Sequence, residues 1–445
     1  MDEVSKTNIA LQETPTENTA AKKKPTGIIV GVLCGIVAVI IAVICLVVFM
    51  DKGSSQAGFE YFSNGLLAVE KDGKWGYINK SGEMVISPQF DQAYRFDENG
   101  LACVSLNDKW GSIDKSGKYV INPQFDLSYS FASNGLACVK LGDKFGFIDK
   151  NGKFVINPQF ENAGYFADNG LASARLNGKC GYIDKTGNFV IEPQYDYASY
   201  FEENGLARVE VNDKVGFIDK TGNYVANPQF DNTSYRFVNG LMSVQLNGKW
   251  GFIDETGKYV INPQFDYVDS DWDGKLIGVE LNDKWGYVDR NGKYVINPQF
   301  DDIGYLTIDE TMNVNLNGKW GYIDRNGKFV INPQFDDSYS FYGRNLAAVQ
   351  SNGKWGYVDR NGNYVVNPQF DLAYPFNENG MALVKFGDSW GCIDETGKYV
   401  INPQFDYSYN FDKEGFAVVG LDGYYGLIDT NGKYVVQPQF TDFYV

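Results

Sequence analysis

From about residue 58 to the C-terminus, hydrophobic and polar positions recur with a fixed spacing, and one unit can stand for all. In Leu101-Ala102-Cys103-Val104-Ser105-Leu106 the positions of Ala102, Val104 and Leu106 stay apolar across units. Those of Cys103 and Ser105 vary through Lys140, Arg175, Glu210 and Gln245. A two-residue alternation of this kind predicts a half-buried strand. Asn107-Asp108 then turns the chain into Trp110-Gly111-Ser112-Ile113, where Trp110 and residue 112 point one way and Ile113 the other. Both faces are apolar, so this strand is expected to be buried on both sides. Asp114-Lys115-Ser116-Gly117 is a hairpin turn, Tyr119-Val120-Ile121 the next strand, and Asn122-Pro123-Gln124 its expected stop, since proline lacks the donor a ladder needs. Each unit therefore reads as a meander of three antiparallel strands, or four if the stretch Phe125–Phe131 is extended.

The unit returns every 35 residues without insertion, eleven times, with Gly111 and its equivalents in every copy. A neighbouring ring or backbone crossing where a side chain would sit is the simplest reason for that glycine. A unit this small cannot bury a core alone, so each sheet must pack against the sheets before and after it. The fold class is all-β: a tandem array of eleven β-meander units packed face to face, propeller-like. Eleven blades exceed the usual four to eight or so, which favours an open superhelix. The alternative is a closed ring, in which the surplus Phe440-Thr441-Asp442-Phe443 completes the first blade, whose opening Gln56-Ala57-Gly58-Phe59 is poor.

With the pattern laid out, Lys319-Trp320-Gly321-Tyr322-Ile323-Asp324-Arg325-Asn326-Gly327-Lys328-Phe329-Val330-Ile331-Asn332-Pro333-Gln334 resembles the bacterial WG repeat (KWG-type) family. The resemblance implies a bacterial β-rich repeat protein, often surface-exposed or membrane-tethered, and it supplies no catalytic residues. Phe145, Cys180, Val215 and Tyr425 depart from it at the Trp position, which marks that Trp as a replaceable packing residue.

Residues 1–26 are polar without periodicity and read as a disordered cytoplasmic tail. Gly27 to Met50 is an uncharged apolar run long enough to span a bilayer. Lys22-Lys23-Lys24 before it places the N-terminus inside and the array outside the cell membrane. Its length and the lack of an Ala-x-Ala site favour a retained signal-anchor over a cleaved signal peptide. Gly27, Gly31 and Gly35 permit helix pairing, though glycine is common in spans and the oligomeric state stays open. Residues 51–57 are a short linker and 58–445 the array.

Composition narrows the chemistry. There is no histidine, which removes the usual general base and imidazole metal ligands. The first 26 residues carry four acids and four lysines and the apolar run none, so the whole net charge of −17 belongs to the repeats and their linker. Such a surface repels nucleic acid, and solubility is its ordinary purpose. Cys34 and Cys45 lie in the apolar run. Cys103, Cys138, Cys180 and Cys392 do not recur with the repeat, as a disulfide framework would, although a Cys103–Cys138 bridge can be drawn. The Asp114-x-x-Gly117 turns lack the converging oxygens of a calcium loop, so they are read as turn geometry, with no metal and no cofactor.

A unique site should lie where the repeat breaks. It breaks most at Asp269-Ser270-Asp271-Trp272-Asp273, at Leu306 to Thr311, and at Tyr342-Gly343-Arg344, equivalent positions of three consecutive units. The candidate ligand-binding residues are Asp269, Asp271, Trp272, Asp273, Asp309, Tyr342 and Arg344, with Trp272 stacking on a ligand and Arg344 pairing an acid. The competing reading is drift in a tolerant loop. Phe145, Cys180 and Val215 form a second irregular zone, read as local repacking. The expected function is binding or adhesion to a glycan or protein at the cell surface. Alternatives are a sensor signalling through residues 1–26 and an extracellular hydrolase. The evenly repeated acids and the missing histidine speak against the hydrolase.

Overall fold

The computed structural model describes residues 60–269, 272, 274–304 and 311–444. The predicted tail, span and linker lie outside them. Among the described residues every element is a strand, and no helix is long and apolar enough to cross a membrane. The strands form eleven four-stranded antiparallel sheets, one blade per repeat. Blade 2 consists of Gln92–Ala93, Ala102–Leu106, Lys109–Ile113 and Tyr119–Phe125. The first strand is thus real but only two residues long. The others follow at 35-residue steps, ending with blade 11 at Tyr407–Ser408, Phe416–Leu421, Tyr424–Asp429 and Tyr434–Phe440.

Blade 1 closes the array. Among the described residues its own strands are Leu66–Lys71, Lys74–Asn79 and Met84–Phe90, and Asp442–Phe443 supplies the first strand, pairing Val69 with Phe443 and Glu70 with Asp442. The expected open superhelix is therefore replaced by the closed ring, because the surplus C-terminal segment satisfies a sheet edge that would otherwise stay unpaired. The join repeats an interior contact. Asp97 Oδ2 accepts from Phe131 N of the next blade at 3.2 Å, and Asp412 Oδ2 accepts from Tyr61 N at 2.9 Å across the seam. Ion pairs Lys413–Glu60 and Lys80–Glu414, both 2.5 Å, flank it.

The core lies between blades. Leu66, Ala68, Tyr77, Ile86 and Phe90 of blade 1 meet Ala93, Phe96, Ala102, Val104 and Ile113 of blade 2. The same arrangement runs round to the seam, where Val418, Leu427, Val436 and Phe440 meet Tyr61, Phe62, Leu67, Val69, Ile78 and Phe443. The third strand is buried on both faces, as its sequence predicts. The second strand is buried further than its alternation implies: Cys103, Cys138 and Ser243 are all inside, because the next blade covers that face too. Cys103, Cys138, Cys180 and Cys392 are buried and free.

Two repeat residues explain one another. Phe145 pairs with Phe160 and Phe147 with Ile156, so Asn157-Pro158-Gln159 bulges opposite Gly146. A Cβ on Gly146 would lie 2.6 Å from the Ile156 carbonyl oxygen and 2.7 Å from Pro158 N. The crossing group is thus backbone. The fourth strand also does not stop at its proline but runs through it, since a bulge frees the position of its ladder bond.

Candidate ligand-binding face

An antiparallel meander puts its connections at alternating ends, so the ring has two unlike faces. One carries the hairpins between second and third strands and the crossings to the next blade. Here Asp91 receives Lys74 Nζ of blade 1 at 2.5 Å and Asn107 N of blade 2 at 2.6 Å. The Lys74 hydrogen bond, with that of Asn107, holds its carboxyl below the usual carboxylate range. The staple recurs as Lys109–Asp126–Gly142, Lys214–Asp231–Asn247 and Lys319–Asp336–Asn352, among others. Each ion pair is half in solvent, where water screens it. The repetition makes this a structural face.

The other face carries the loops between first and second strands and the Asp-x-x-Gly turns. In the turns Asp114 Oδ1 accepts from Ser116 N (2.9 Å), Ser116 Oγ (2.6 Å) and Lys118 N (3.1 Å), which is turn geometry. An open depression between blades 1 and 2 is lined by Asn64, Glu98, Asn99, Gly100, Asp114, Lys115 and Ser116. The described residues of the three predicted irregular segments, Asp269 and Trp272 of blade 7, Thr311 of blade 8 and Tyr342 to Arg344 of blade 9, lie toward this face.

Their residues fare differently. Asp271, Asp273 and Asp309 lie outside the described residues. Trp272 is 4 % exposed and packs with Phe252, Ile261, Phe265, Val268 and Ile277, the equivalents of the residues around Phe96. Its indole Nε1 donates to Val238 O at 3.2 Å. It is therefore not a stacking platform but the plug of its blade interface, displaced by one residue from the usual phenylalanine, as is Phe237. Asp269 N keeps a regular backbone bond to Gly278 O at 2.9 Å, and its carboxylate adds to the burial that raises the Tyr287 hydroxyl pKa. Tyr342 has φ +50°, and Arg344 N closes a tight turn onto Phe341 O at 2.8 Å. Tyr342 and Arg344 share one half-buried loop, and no acid among the described residues pairs with Arg344.

The sequence reading missed a set of arginines. Arg290, Arg325 and Arg360 occupy one turn position in blades 7, 8 and 9, where blades 1 to 5 have lysine. Arg290 lies 5.9 Å from the Trp272 ring centroid and donates to Asn239 O at 2.9 Å. Arg360 lies 4.7 Å from the Phe341 ring centroid and donates to Arg344 O at 2.6 Å. The run of three Arg after Asp was the available signal. The loops also change the core beneath them. In blades 1, 4, 8 and 9 the buried Tyr77, Tyr182, Tyr322 and Tyr357 hydroxyls donate to loop carbonyls at 2.8 Å. In blade 7 the buried Tyr287 hydroxyl has no partner among the described residues. Asn313, buried between blades 8 and 9, donates to Ser338 O at 3.1 Å and accepts from Ser340 Oγ at 2.7 Å, where blades 1, 9, 10 and 11 place Ala68, Ala348, Leu383 and Val418.

A family model described as a WG containing repeat matches the chain in twelve consecutive segments, from 58–75 and 75–110 through 390–425 and 425–445. No curated protein matches it. Among solved structures, a crystal structure of a eukaryotic initiation factor is 12% identical, covers 85% of this chain and 96% of its own, and has a TM-score of 0.44. One described as the extracellular domain of a one-component system from B. thetaiotaomicron is 11% identical, with coverages of 85% and 65% and a TM-score of 0.26. PorZ, a bacterial surface component of the type-IX secretion system of Porphyromonas gingivalis, is 10% identical, with coverages of 82% and 65% and a TM-score of 0.25. Global similarity this low says nothing about what the chain binds.

Proposed function

The chain belongs to the WG-repeat family, and we propose that it is a membrane-anchored binding protein that holds its ring outside the cell and takes a glycan or protein on the loop-bearing face. One observation carries the reading: the loops between first and second strands break the repeat in three consecutive blades, while the opposite face keeps one Lys–Asp–backbone staple at eight of its eleven joins. A rigid ring with one variable surface is the usual division between scaffold and recognition loops. The apolar run 27–50 behind three lysines supports the tether and its orientation. In this reading the ring binds its ligand without transforming it.

Two measurements test it. Protease added to intact cells should remove the ring, and protection from protease would sink the extracellular placement. The full chain in mild detergent would be applied to immobilised cell-wall glycans, host glycans and matrix proteins, beside Arg344→Ala on the loop face and Lys214→Ala on the stapled face. Loss of a captured ligand in the first variant alone is expected. Loss in the second alone would move recognition to the other face.

A further inference from the structure

Closing the ring brings together residues from its two ends. Immediately after the two-residue first strand, blades 9, 10, 11, 1, 2 and 3 carry Tyr339, Tyr374, Tyr409, Tyr444, Tyr94 and Tyr129. These blades are consecutive only because Asp442–Phe443 belongs to blade 1. The remaining five blades have Gly164, Ser199, Ser234, Asp269 and Gly304 at that position. All six blades of the arc also have an aromatic residue at the Trp position of the third strand. Outside it, Cys180 and Val215 break that rule.

The two layers are in contact. Tyr94 stacks on Trp110 with centroids 4.9 Å apart and planes at 19°, and Tyr374 on Trp390 at 5.6 Å and 14°. Tyr339 leans on Trp355 at 5.3 Å, and Tyr444 touches Tyr94 of the next blade at 5.6 Å. The tryptophans lie beneath, Trp110 and Trp355 at 7 % and 5 % exposure, while Tyr129 and Tyr374 are 48 % and 37 % exposed. Each tyrosine is fixed by a backbone bond to its second strand, as in Tyr94 N to Cys103 O and Tyr409 N to Val418 O, both 2.9 Å. The backbone carrying each ring is therefore held, and Tyr94, Tyr339 and Tyr374 are also packed on a tryptophan, before any ligand arrives, which lowers the entropy cost of binding. Burial raises the Tyr94 hydroxyl to about 12, so it stays a donor at physiological pH.

Their surroundings select the ligand. The residues that follow are Ser130, Ser340, Pro375 and Asn410, with Arg95 already engaged by Glu60 O at 2.5 Å. A net charge of −17 disfavours a polyanion. A row of aromatic faces edged by hydroxyls and amides matches a ligand that has an apolar face and a hydroxyl rim in every residue. We propose that this arc, centred on the blade that closes the ring, binds a neutral polysaccharide strand by stacking pyranose rings on Tyr339, Tyr374, Tyr409, Tyr444, Tyr94 and Tyr129. The proposal rests on the binding reading above and gives it a ligand class and a surface.

The test uses the full chain in mild detergent with insoluble cellulose, chitin and β-1,3-glucan as probes, and dextran sulfate as an anionic control. Retention on at least one neutral polymer is expected, with a shift in tryptophan emission because Trp110 and Trp390 lie directly under the stacking rings. A Tyr94→Ala, Tyr374→Ala double variant should bind at least 10-fold more weakly, and Tyr94→Phe, Tyr374→Phe should keep most of the affinity. Tyr129→Ala, at a half-exposed ring that folding does not need, should also weaken binding. Tyr235→Ala, outside the arc, should not. Binding that survives both alanine variants, or is lost in Tyr235→Ala alone, would overturn the assignment. Capture of a protein but of no polysaccharide would overturn it while leaving the binding reading intact, and capture of nothing would sink both.

Discussion

Phe443 is the residue on which the closed ring can be tested most sharply. The equivalent position holds Ala93, Ser128, Ala163, Ala198, Thr233, Val268, Ile303, Ser338, Ala373 and Ser408 in the other blades, so only the seam carries a ring there. That ring is 5 % exposed, lies 5.5 Å from the Phe440 ring, and belongs to the core formed by blades 11 and 1. Phe443→Ala removes a buried ring from the seam core, for which a buried Phe→Ala change costs about 3–5 kcal/mol. With an unfolding entropy of about 2 cal/mol/K per residue, residues 60–444 give ~0.8 kcal/mol/K, so Tm should fall by about 4–6 °C. Thermal unfolding followed by circular dichroism would read this directly. In an open array the side chain would sit on a frayed terminal strand, and the change would be within about 0.5 kcal/mol. A Tm unchanged to within a degree would refute the closed ring.

Other outcomes follow from the same geometry. Gly286→Ala should destabilise the chain by about 1–3 kcal/mol or prevent folding, since its Cβ would meet the Ile296 oxygen and Pro298 N at 2.6 Å; urea titration would show it, and a neutral result would mean the bulge can move away. Trp272→Ala should cost about 3–5 kcal/mol in urea titration, whereas Trp272→Phe should cost much less; an Ala variant of native stability would return Trp272 to the surface. Asp91, Asp126 and Asp231 have pKa values lowered chiefly by their lysine hydrogen bonds, so their stabilisation is present above the unfolded value and is lost as pH falls below about 4. Tyr77, Tyr182 and Tyr322 have hydroxyl pKa values raised by burial, so their contribution is complete below about pH 10 and is lost as pH rises beyond it. A Tm profile flat from pH 3 to 11 would contradict both signs.

The sequence was most legible where local rules repeat. Trp110 and Ile113 announce a strand buried on both sides, and the structure buries them against opposite neighbours. Gly111 announces a crossing, and its equivalent Gly146 meets backbone. Three features were left undecided or misread by the local rules because they depend on what lies across space. Pro123 looks like a strand end until the register shift makes room for it. Ring closure depends on whether small tilts between blades sum to a full turn, which no single unit encodes. Trp272 looked like a surface anomaly because it falls one residue away from the phenylalanine position; a one-residue slip in the loop carries it into the same core slot. The tyrosine arc was invisible for the related reason that Tyr409 and Tyr94 are neighbours only in a circle.

The staple between blades also bears on how large the ring can be. Each Lys–Asp–backbone link joins only adjacent units, and the seam reuses an interior contact, Asp412 to Tyr61 in place of Asp97 to Phe131. No residue therefore measures the circumference. With eleven blades each interface turns by about 33°, and losing one unit would ask for about 36°, a change of about 3° shared equally among neighbours. Recombination between near-identical repeats in the gene would remove or add a whole blade without disturbing the register of any join. The diameter of the ring is thus a quantity inherited as a copy number, and lineages could resize the platform without rewriting a single contact.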